Sequence, residues 1–259
     1  MTVSELQIVI PMAGNGSRFS RALYKNPKPL IPVLNHPMIE WVIKNLNTNL
    51  RHRFIFICQA SHDKDFALGR TLREISPGSE IILLDQVTDG AAQTVLKAEG
   101  SLDPNLPLVI ANCDQYISNA NFDKFYNLTN QTDVDGVILT MAAKDPKWSF
   151  VRVDDLNRAL EVREKQVISE TATVGVYSFK RAGDFIRAAK AMVSAQDTQN
   201  GEYYVAPAYN ALVSEKKNIQ ILDVRELGNE SKMFGLGTPE DLEEFIACET
   251  ALEDEKRIF

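Results

Sequence analysis

The stretch LQIVIPMAGNGSR (residues 6–18) leads from an apolar run directly into a glycine-containing loop. The run Leu6–Met12 predicts a buried first β-strand. Gly14 and Gly16 can adopt positive φ and let a ligand approach the backbone closely, and successive N–H groups in such a loop form a concave anion site. Arg18 adds a planar fork for phosphate oxygens and Lys28 a compact point charge. The segment therefore predicts a polyphosphate site at the end of a strand.

The Gly-x-Gly pattern alone is weak evidence, because a tight strand-to-helix turn that binds nothing has the same glycines. The loop differs from a P-loop, since no Gly-Lys-Ser/Thr follows it. It also differs from the dinucleotide fingerprint, whose third glycine is replaced here by Phe19.

The first half of the chain alternates between strand-like and helix-like segments. Strands are predicted at residues 6–12, 53–59, 80–84 and 106–112, and helices at 37–47, at 61–75 with Ser61 as N-cap, and at 90–100. This alternation predicts an α/β fold with a doubly wound, mostly parallel sheet of the Rossmann-like type and helices on both faces. Ligands on such sheets bind at the carboxyl ends of the strands, where Gly14, Gln86 and Asp114 all fall.

The second half is richer in strands. Strands are predicted at residues 134–142, 150–154, 160–163, 173–179 and 219–224, and helices at 181–195 and 202–213. A last helix opens with Thr238 as N-cap, Pro239 as its first residue and Asp241 closing a capping box. We expect one domain over residues 1–259, with a first half (1–133) and a second, smaller β-rich half (134–259).

Composition narrows the classes of function. The chain has 259 residues and a net charge of -7, which disfavours nucleic acid as a partner. Its three cysteines, Cys58, Cys113 and Cys248, follow no metal-binding spacing and favour a reducing, cytoplasmic location. No apolar run approaches membrane-spanning length, so no membrane partner is expected. A homo-oligomer stays open.

Five motifs in order resemble the nucleotidyltransferases that activate sugar 1-phosphates, whose sheet is of the GT-A type. They are the loop at residues 11–18 with Pro-Lys-Pro-Leu at 27–30, residues 85–92, residues 110–114, Glu-Lys at 164–165 before a strand ending Gly-Val-Tyr, and residues 237–241. The resemblance covers most of the chain. It implies that a phosphate monoester attacks the α-phosphorus of a nucleoside triphosphate and pyrophosphate leaves.

The resemblance also implies roles on the nucleotide side. Arg18 and Lys28 would be catalytic, Arg18 on the leaving pyrophosphate and Lys28 between the two substrates. The residues implied to bind the nucleotide are Ala13, Gly14, Asn15, Gly16, Ser17, Gln86, Gly90, Ala91 and Asn112. Gln86 and Gly90 match positions that read the base, for which a pyrimidine (CTP, or UTP or dTTP) is favoured.

On the acceptor side, the resemblance implies that Glu164, Lys165 and Gly175 contact the small phosphorylated acceptor. Asp114 would hold Mg²⁺, a hard cation that takes carboxylate and phosphate oxygens. The family commonly places a second metal-binding aspartate where Gly235 stands here. Either the metal is held by Asp114, phosphates and water alone, or another carboxylate substitutes, for which four are available: Glu202, Asp223, Glu226 and Glu230.

Several functions stay open from the sequence. The acceptor is either a sugar 1-phosphate, as in nucleotide-sugar and cell-surface polysaccharide biosynthesis, or a smaller phosphoalcohol such as phosphocholine or glycerol phosphate. Gly235 also keeps open an inactive, regulatory protein that binds a nucleotide sugar. A glycosyltransferase of the same sheet type is a third reading, which the triphosphate clamp at Arg18 and Lys28 disfavours.

Overall fold

The computed structural model describes residues 5–259 and arranges their strands in three sheets. One sheet has nine strands, and two are two-stranded ribbons. The strands in chain order are β1 (Leu6–Met12), β2 (Pro32–Val33), β3 (His36–Pro37), β4 (His52–Gln59), β5 (Glu80–Leu84), β6 (Leu108–Ala111), β7 (Gln115–Ile117), β8 (Gly136–Ala142), β9 (Ser149–Val153), β10 (Ala159–Glu164), β11 (Thr171–Phe179), β12 (Ile219–Asp223) and β13 (Met233–Gly235).

The nine-stranded sheet is parallel on one side and mixed on the other. Strands β6, β1, β4 and β5 lie side by side and run parallel. β11 pairs antiparallel with β6 and with β8, and β8 carries β12 as a parallel neighbour. The antiparallel ribbon of β9 and β10 joins the sheet through β11. The predicted parallel core and β-rich second portion are confirmed.

Helices cover both faces of this sheet. The described helices are α1 (Ser17–Arg21), α2 (Met38–Asn45), α3 (Ala60–Phe66), α4 (Leu68–Ile75), α5 (Ala91–Leu96), α6 (Asp123–Thr129), α7 (Ala182–Ser194), α8 (Tyr209–Ser214), α9 (Pro239–Ala247) and α10 (Glu249–Ile258). Helices α2, α4 and α6 contribute Val42, Leu72 and Phe125 to one buried cluster. Helices α5, α7 and α8 contribute to the cluster on the opposite face, so the sheet is doubly wound as predicted. Between residues 5 and 259, none of the helices combines the length and the apolar character needed to span a bilayer.

A third buried cluster fixes the ribbon of β7 and β13 at the edge of the sheet. Trp41 of α2 packs edge-on against Tyr116 of β7, with ring centroids 5.1 Å apart, and against Phe245 of α9 at 5.6 Å. The Leu236 N–H donates to the Asp114 carbonyl at 2.8 Å. The aromatic packing therefore holds the backbone around Asp114 and Gly235 next to the ends of the parallel strands.

Two of the predicted helices are wrong in detail. Residues 61–75 form two helices, because Ala67 adopts the left-handed conformation (φ 53) between α3 and α4. The Asp63 carboxylate accepts the Gly69 N–H at 2.8 Å, which replaces a backbone hydrogen bond at the break. The residue before the first helix is Gln59, so Ser61 lies inside the helix and is not its N-cap. The helix predicted over 90–100 ends at Leu96, and a 3-10 turn follows at 99–101.

The predictions for the C-terminal part need similar corrections. Residues 202–213 are helical only from 206 onward, as a 3-10 turn (206–208) followed by α8, since Pro207 has no N–H to continue a helix. The Thr238 side chain caps α9 by accepting the Asp241 N–H at 3.1 Å, as predicted. The Asp241 side chain does not close the box but faces Lys147, 3.6 Å away.

Candidate active site

A cleft at the carboxyl ends of the parallel strands consists of two adjoining cavities. The first, about 430 Å³, lies against the loop that follows β1, and the second, about 520 Å³, lies against the end of β10 and the middle of β11. Residues from both halves of the chain line both cavities: Arg18, Ala91, Asn112, Asp114, Glu202, Tyr204 and Gly237. Two ligands bound side by side would share this wall.

The loop after β1 forms one side of the first cavity. Every residue predicted there lines it: Ala13, Gly14, Asn15, Gly16, Ser17 and Arg18. Gly16 has φ +57, and a Cβ on it would stand 3.4 Å from the Lys28 Cβ. The Gln59 side chain, at the end of β4, donates to the carbonyls of Ala13 at 3.0 Å and Gly14 at 2.8 Å. The neighbouring strand therefore fixes the shape of this loop.

Lys28 and Asp114 meet at the floor of the first cavity. Lys28 begins a 3-10 turn between two prolines, and its Nζ donates to Asp114 Oδ2 in a half-buried ion pair. Burial is the largest influence and lowers the pKa of Lys28, but the charge of Asp114, the nearby Cys113 and the hydrogen bond to Asp114 together raise it by more, so the pKa is raised. The ammonium group therefore stays protonated at neutral pH.

Gly237 completes the surroundings of Asp114. A Cβ at this position would lie 2.7 Å from Asp114 Oδ2 and 3.9 Å from an Arg18 guanidinium nitrogen. Only a glycine lets the backbone approach the carboxylate this closely. The structure thus brings Arg18, Lys28 and Asp114, which are far apart in the sequence, around one point of the cleft.

The loop after β5 forms the opposite side of the first cavity, but Gln86 does not line it. Gln86 is exposed, whereas Val87, Thr88, Gly90 and Ala91 line the cavity. Gly90 has φ +113, which L-residues rarely adopt. Reading of the base by Gln86 stays a prediction.

Glu164 and Lys165 lie in the second cavity, at the end of β10. Glu164 is buried and accepts a hydrogen bond from the Ser149 hydroxyl. Burial raises the pKa of Glu164, and the nearby charge of Glu202 acts in the same direction, whereas Ser149 and Lys165 oppose it. The Lys165 Nζ donates to the Tyr204 hydroxyl at 2.6 Å. The Glu-Lys pair is thus part of the cleft.

Gly175 lies where β11 passes the end of β6. Its φ is +76, and a Cβ would stand 2.3 Å from Gln115 Oε1 and 2.4 Å from Asn112 Nδ2. The Asn112 N–H donates to the Gly175 carbonyl at 2.9 Å. Gly175 therefore leaves the space in which two amide side chains of the second cavity meet.

Sequence reasoning missed several residues of the second cavity and its rim. Lys147, Ser149, Thr173 and Tyr204 line it without having been singled out. Tyr204 lay inside a predicted helix, and the others lie on strands or turns that carry no recognisable motif. Cys113 also lines the first cavity, but burial raises the pKa of its thiol to about 11, which keeps it protonated and unreactive.

The position of Gly235 has a carboxylate beside it. A Cβ on Gly235 would lie 3.7 Å from Asp241 Oδ2 and 3.7 Å from the Trp148 ring. Of the four carboxylates left open as substitutes, only Glu202 lines the cleft. Asp223 and Glu226 cap a 3-10 turn reciprocally, and Glu230 lines a separate cavity.

The donor set of the cleft fits Mg²⁺ better than a metal that needs a protein cage. Across residues 5–259, no group of three or more histidine, cysteine or acidic side chains is arranged to hold a metal ion. Mg²⁺ is usually bound by one or two carboxylates together with substrate phosphates. Asp114 and Asp241, which line the same cavity, supply that number.

Comparison with known proteins places the chain among nucleotide-transferring enzymes. The family model described as nucleotidyl transferase matches residues 8–223. The fold is similar to that of a nucleoside-diphosphate-sugar pyrophosphorylase from Vibrio cholerae RC9, with 26% identity, a TM-score of 0.77, and coverage of 93% of this chain and 100% of that chain. The inositol-1-phosphate CTP transferase from T. maritima shares the fold at 14% identity, with a TM-score of 0.75 over 99% of this chain and 98% of that one.

Among curated proteins, the chain is similar to the bifunctional protein GlmU of Methanococcus aeolicus. The two are 22% identical over 241 residues, which is 92% of this chain and 53% of the relative. A second GlmU, from Methanocaldococcus jannaschii, is 24% identical over 217 residues, 82% of this chain and 48% of that protein. The chain thus spans about half the length of the curated relatives it matches.

Proposed function

The chain belongs to the nucleotidyl transferase family, and from that premise we propose that it joins a nucleoside triphosphate to a phosphate monoester. An oxygen of the acceptor phosphate forms a bond to the α-phosphorus. The bond between the α-phosphorus and the oxygen that bridges it to the β-phosphorus breaks. The products are a nucleoside diphosphate-linked compound and pyrophosphate. The observation that carries the proposal is the pair of adjoining cavities with Arg18, Asn112 and Asp114 in their shared wall.

In this proposal the first cavity takes the triphosphate. The loop at residues 13–18 surrounds the phosphates with backbone amides, and Arg18 stabilises the charge that develops on pyrophosphate. Lys28, kept protonated by Asp114, neutralises charge between the two reacting phosphates. Catalysis of this kind needs positioning and charge neutralisation more than covalent participation by the protein. We propose to test pyrimidine nucleoside triphosphates first.

Asp114 and Asp241 are the carboxylates that would hold Mg²⁺, which supplies further neutralisation of phosphate charge. Asp114 is paired with Lys28, and Arg18 lines the same two cavities, so cations of the protein lie in the same part of the cleft as this carboxylate.

The second cavity would take the acceptor, and its lining favours a hydroxyl-rich one. The Gln115 Oε1 is buried without a hydrogen-bond partner in the described part of the chain, and the buried Glu164 is a second acceptor. Hydroxyl groups can donate to both, whereas a quaternary ammonium group has no N–H or O–H to donate.

The aromatic side chains of the cavity also disfavour phosphocholine as the acceptor. Lys147 Nζ lies 5.1 Å from the centroid of the Trp148 ring, and Lys165 Nζ lies 4.7 Å from that of Tyr204. An aromatic cage for choline needs ring faces free of other cations. We therefore propose a sugar 1-phosphate or polyol phosphate as acceptor in preference to phosphocholine.

A matrix assay of pyrophosphate release tests the proposal. The four common nucleoside triphosphates are each paired with glucose 1-phosphate, glycerol 3-phosphate and phosphocholine in the presence of Mg²⁺ or Mn²⁺. We expect turnover with a hydroxyl-rich acceptor. No turnover with any pair refutes the proposed activity, and turnover with phosphocholine alone refutes the proposed acceptor class. Transfer of a sugar from a nucleotide sugar, without release of pyrophosphate, would instead identify a glycosyltransferase.

A further inference from the structure

Residues 202–204 form a short non-helical segment between the two cavities. Glu202 and Tyr204 line both of them. Between these two residues, the Tyr203 N–H donates to the Asp89 carbonyl at 2.7 Å, and the Tyr203 carbonyl accepts the Ala92 N–H at 2.9 Å. The backbone of this segment is therefore attached to the loop that lines the first cavity.

Close packing reinforces this attachment. A Cβ on Gly90 would lie 2.5 Å from the Tyr203 carbonyl oxygen and 2.6 Å from its nitrogen. The segment and the loop touch backbone to backbone, so Tyr204 has little freedom to move independently of residues 89–92.

The side chain of Tyr204 reaches from this segment to Lys165. The Lys165 Nζ donates to the Tyr204 hydroxyl at 2.6 Å, and that hydroxyl donates to Glu202. Burial and Glu202 raise the pKa of Tyr204, so the hydroxyl keeps its proton and serves as donor and acceptor at once. An ammonium group has three donors, and this contact leaves two of them for an anion in the second cavity.

We propose that Tyr204 is a positioning residue: its hydroxyl holds the Lys165 ammonium where the phosphate of the acceptor binds, and residues 202–204 tie that lysine to the wall of the nucleotide cavity. Lysine has a flexible four-carbon stem, and fixing it in advance reduces the entropy lost on binding. This assignment rests on the proposed function, because it needs an acceptor phosphate beside Lys165.

The test uses steady-state kinetics with the substrate pair that is fastest in the matrix assay. Tyr204→Phe removes the hydroxyl and keeps the ring. Tyr203→Phe is the matched control, since it removes the same atom one residue away, from a hydroxyl with no hydrogen bond to the described residues. We expect Tyr204→Phe to raise the acceptor KM about tenfold, the factor equivalent to about 1.4 kcal/mol. The KM for the nucleotide should change less than about twofold, and kcat less than about threefold, because the hydroxyl supports binding and takes no part in bond formation.

A double-mutant cycle separates positioning from a structural role. In a Lys165→Met background, the additional Tyr204→Phe change should alter the acceptor KM by less than about twofold, since the group it positions is already gone. Equal effects of Tyr204→Phe in both backgrounds, or equal effects of Tyr204→Phe and Tyr203→Phe, would overturn the assignment. An inactive wild-type protein would instead overturn the proposed function and this assignment with it.

Discussion

The sharpest test of the proposed metal site is to move the carboxylate from position 241 to position 235. Asp241 Oδ2 lies 3.7 Å from the point where a Cβ on Gly235 would stand. An aspartate side chain at position 235 would therefore bring its carboxylate into the same part of the cleft. Asp241→Asn should weaken the binding of the divalent cation, and Gly235→Asp in the same chain should restore it.

The fold is expected to tolerate both substitutions. Asp241→Asn removes an ion pair to Lys147 at 3.6 Å, in which the side chains are 31% and 49% exposed, and such a pair is worth at most about 1 kcal/mol. It also removes one charge from the first turn of α9, worth about 0.3–1 kcal/mol. The cap at Thr238 survives, because it uses the backbone N–H of residue 241. The nearest atoms to the Cβ position of Gly235 lie 3.7 Å away, so a Cβ can be added there without a clash.

The effect on the cation should be larger than the effect on stability. Substituting even the residues that only support metal ligands lowers affinity by about ten- to a hundredfold, and we expect at least that range for Asp241→Asn. In the swapped variant the affinity should return to within about threefold of wild type, since the number of carboxylates is the same.

Manganese binding gives a readout that does not depend on turnover. Mn²⁺ is titrated into the protein with a non-hydrolysable nucleoside triphosphate analogue, and the free ion is followed by electron paramagnetic resonance. Glu240→Gln is the matched control, because it removes a charge from the same helical turn at an exposed position. Wild-type affinity in Asp241→Asn would refute the assignment. If the swapped variant does not recover the Mn²⁺ affinity, carboxylates at positions 241 and 235 do not bind the ion at the same place.

The remaining predictions concern other parts of the cleft. Lys28→Met should lower kcat/KM for pyrophosphate release by about two to four powers of ten, and a loss below tenfold would exclude the proposed role. Gly175→Ala places a Cβ on a backbone with φ +76, so urea denaturation should show a loss of at least about 2 kcal/mol in unfolding free energy. Burial raises the pKa of Glu164 in the folded state above its ordinary value of 4.5, so its contribution to stability is present below that value and is lost as the pH rises through the folded pKa. The unfolding free energy of Glu164→Gln should therefore increase relative to that of wild type as the pH rises from acid to neutral. A difference between the two proteins that does not vary with pH would contradict this. Gln86→Ala tests base recognition by this exposed side chain: a rise of more than about threefold in the nucleotide KM would support that role, and a smaller change would exclude it.

Local patterns were sufficient to predict the framework of the site. Leu6–Met12 is apolar at every position but Gln7 because β1 is central in the parallel sheet and buried on both faces. Its bounds and those of Glu80–Leu84 match the predicted strands. Loops after parallel strands meet at one edge, so the approach of the loop at 13–18 to Asp114 followed from the order of the elements.

The contacts of Tyr204 and Asp241 could not be predicted in this way. Residues 202–205 suit a helix locally, but the backbone N–H and carbonyl of Tyr203 bond to Asp89 and Ala92 in the other half of the chain. Asp241 satisfies the sequence pattern of a capping box, yet its side chain faces Lys147 and Gly235. In both cases tertiary contacts override a local preference, and such contacts leave no mark on sequence spacing.

Strand β11 explains why the two cavities belong to one cleft. Its first residues pair with β8 and β9, for example Thr171 opposite Ala142, and its last residues pair with β6, for example Val176 opposite Ala111. The pairing with β8 is irregular between Thr173 and Tyr177, and the irregular stretch includes Gly175. Because one strand supports the walls of both cavities, rotating the halves against each other would break its hydrogen bonds. We therefore propose that residues 1–259 act as one unit.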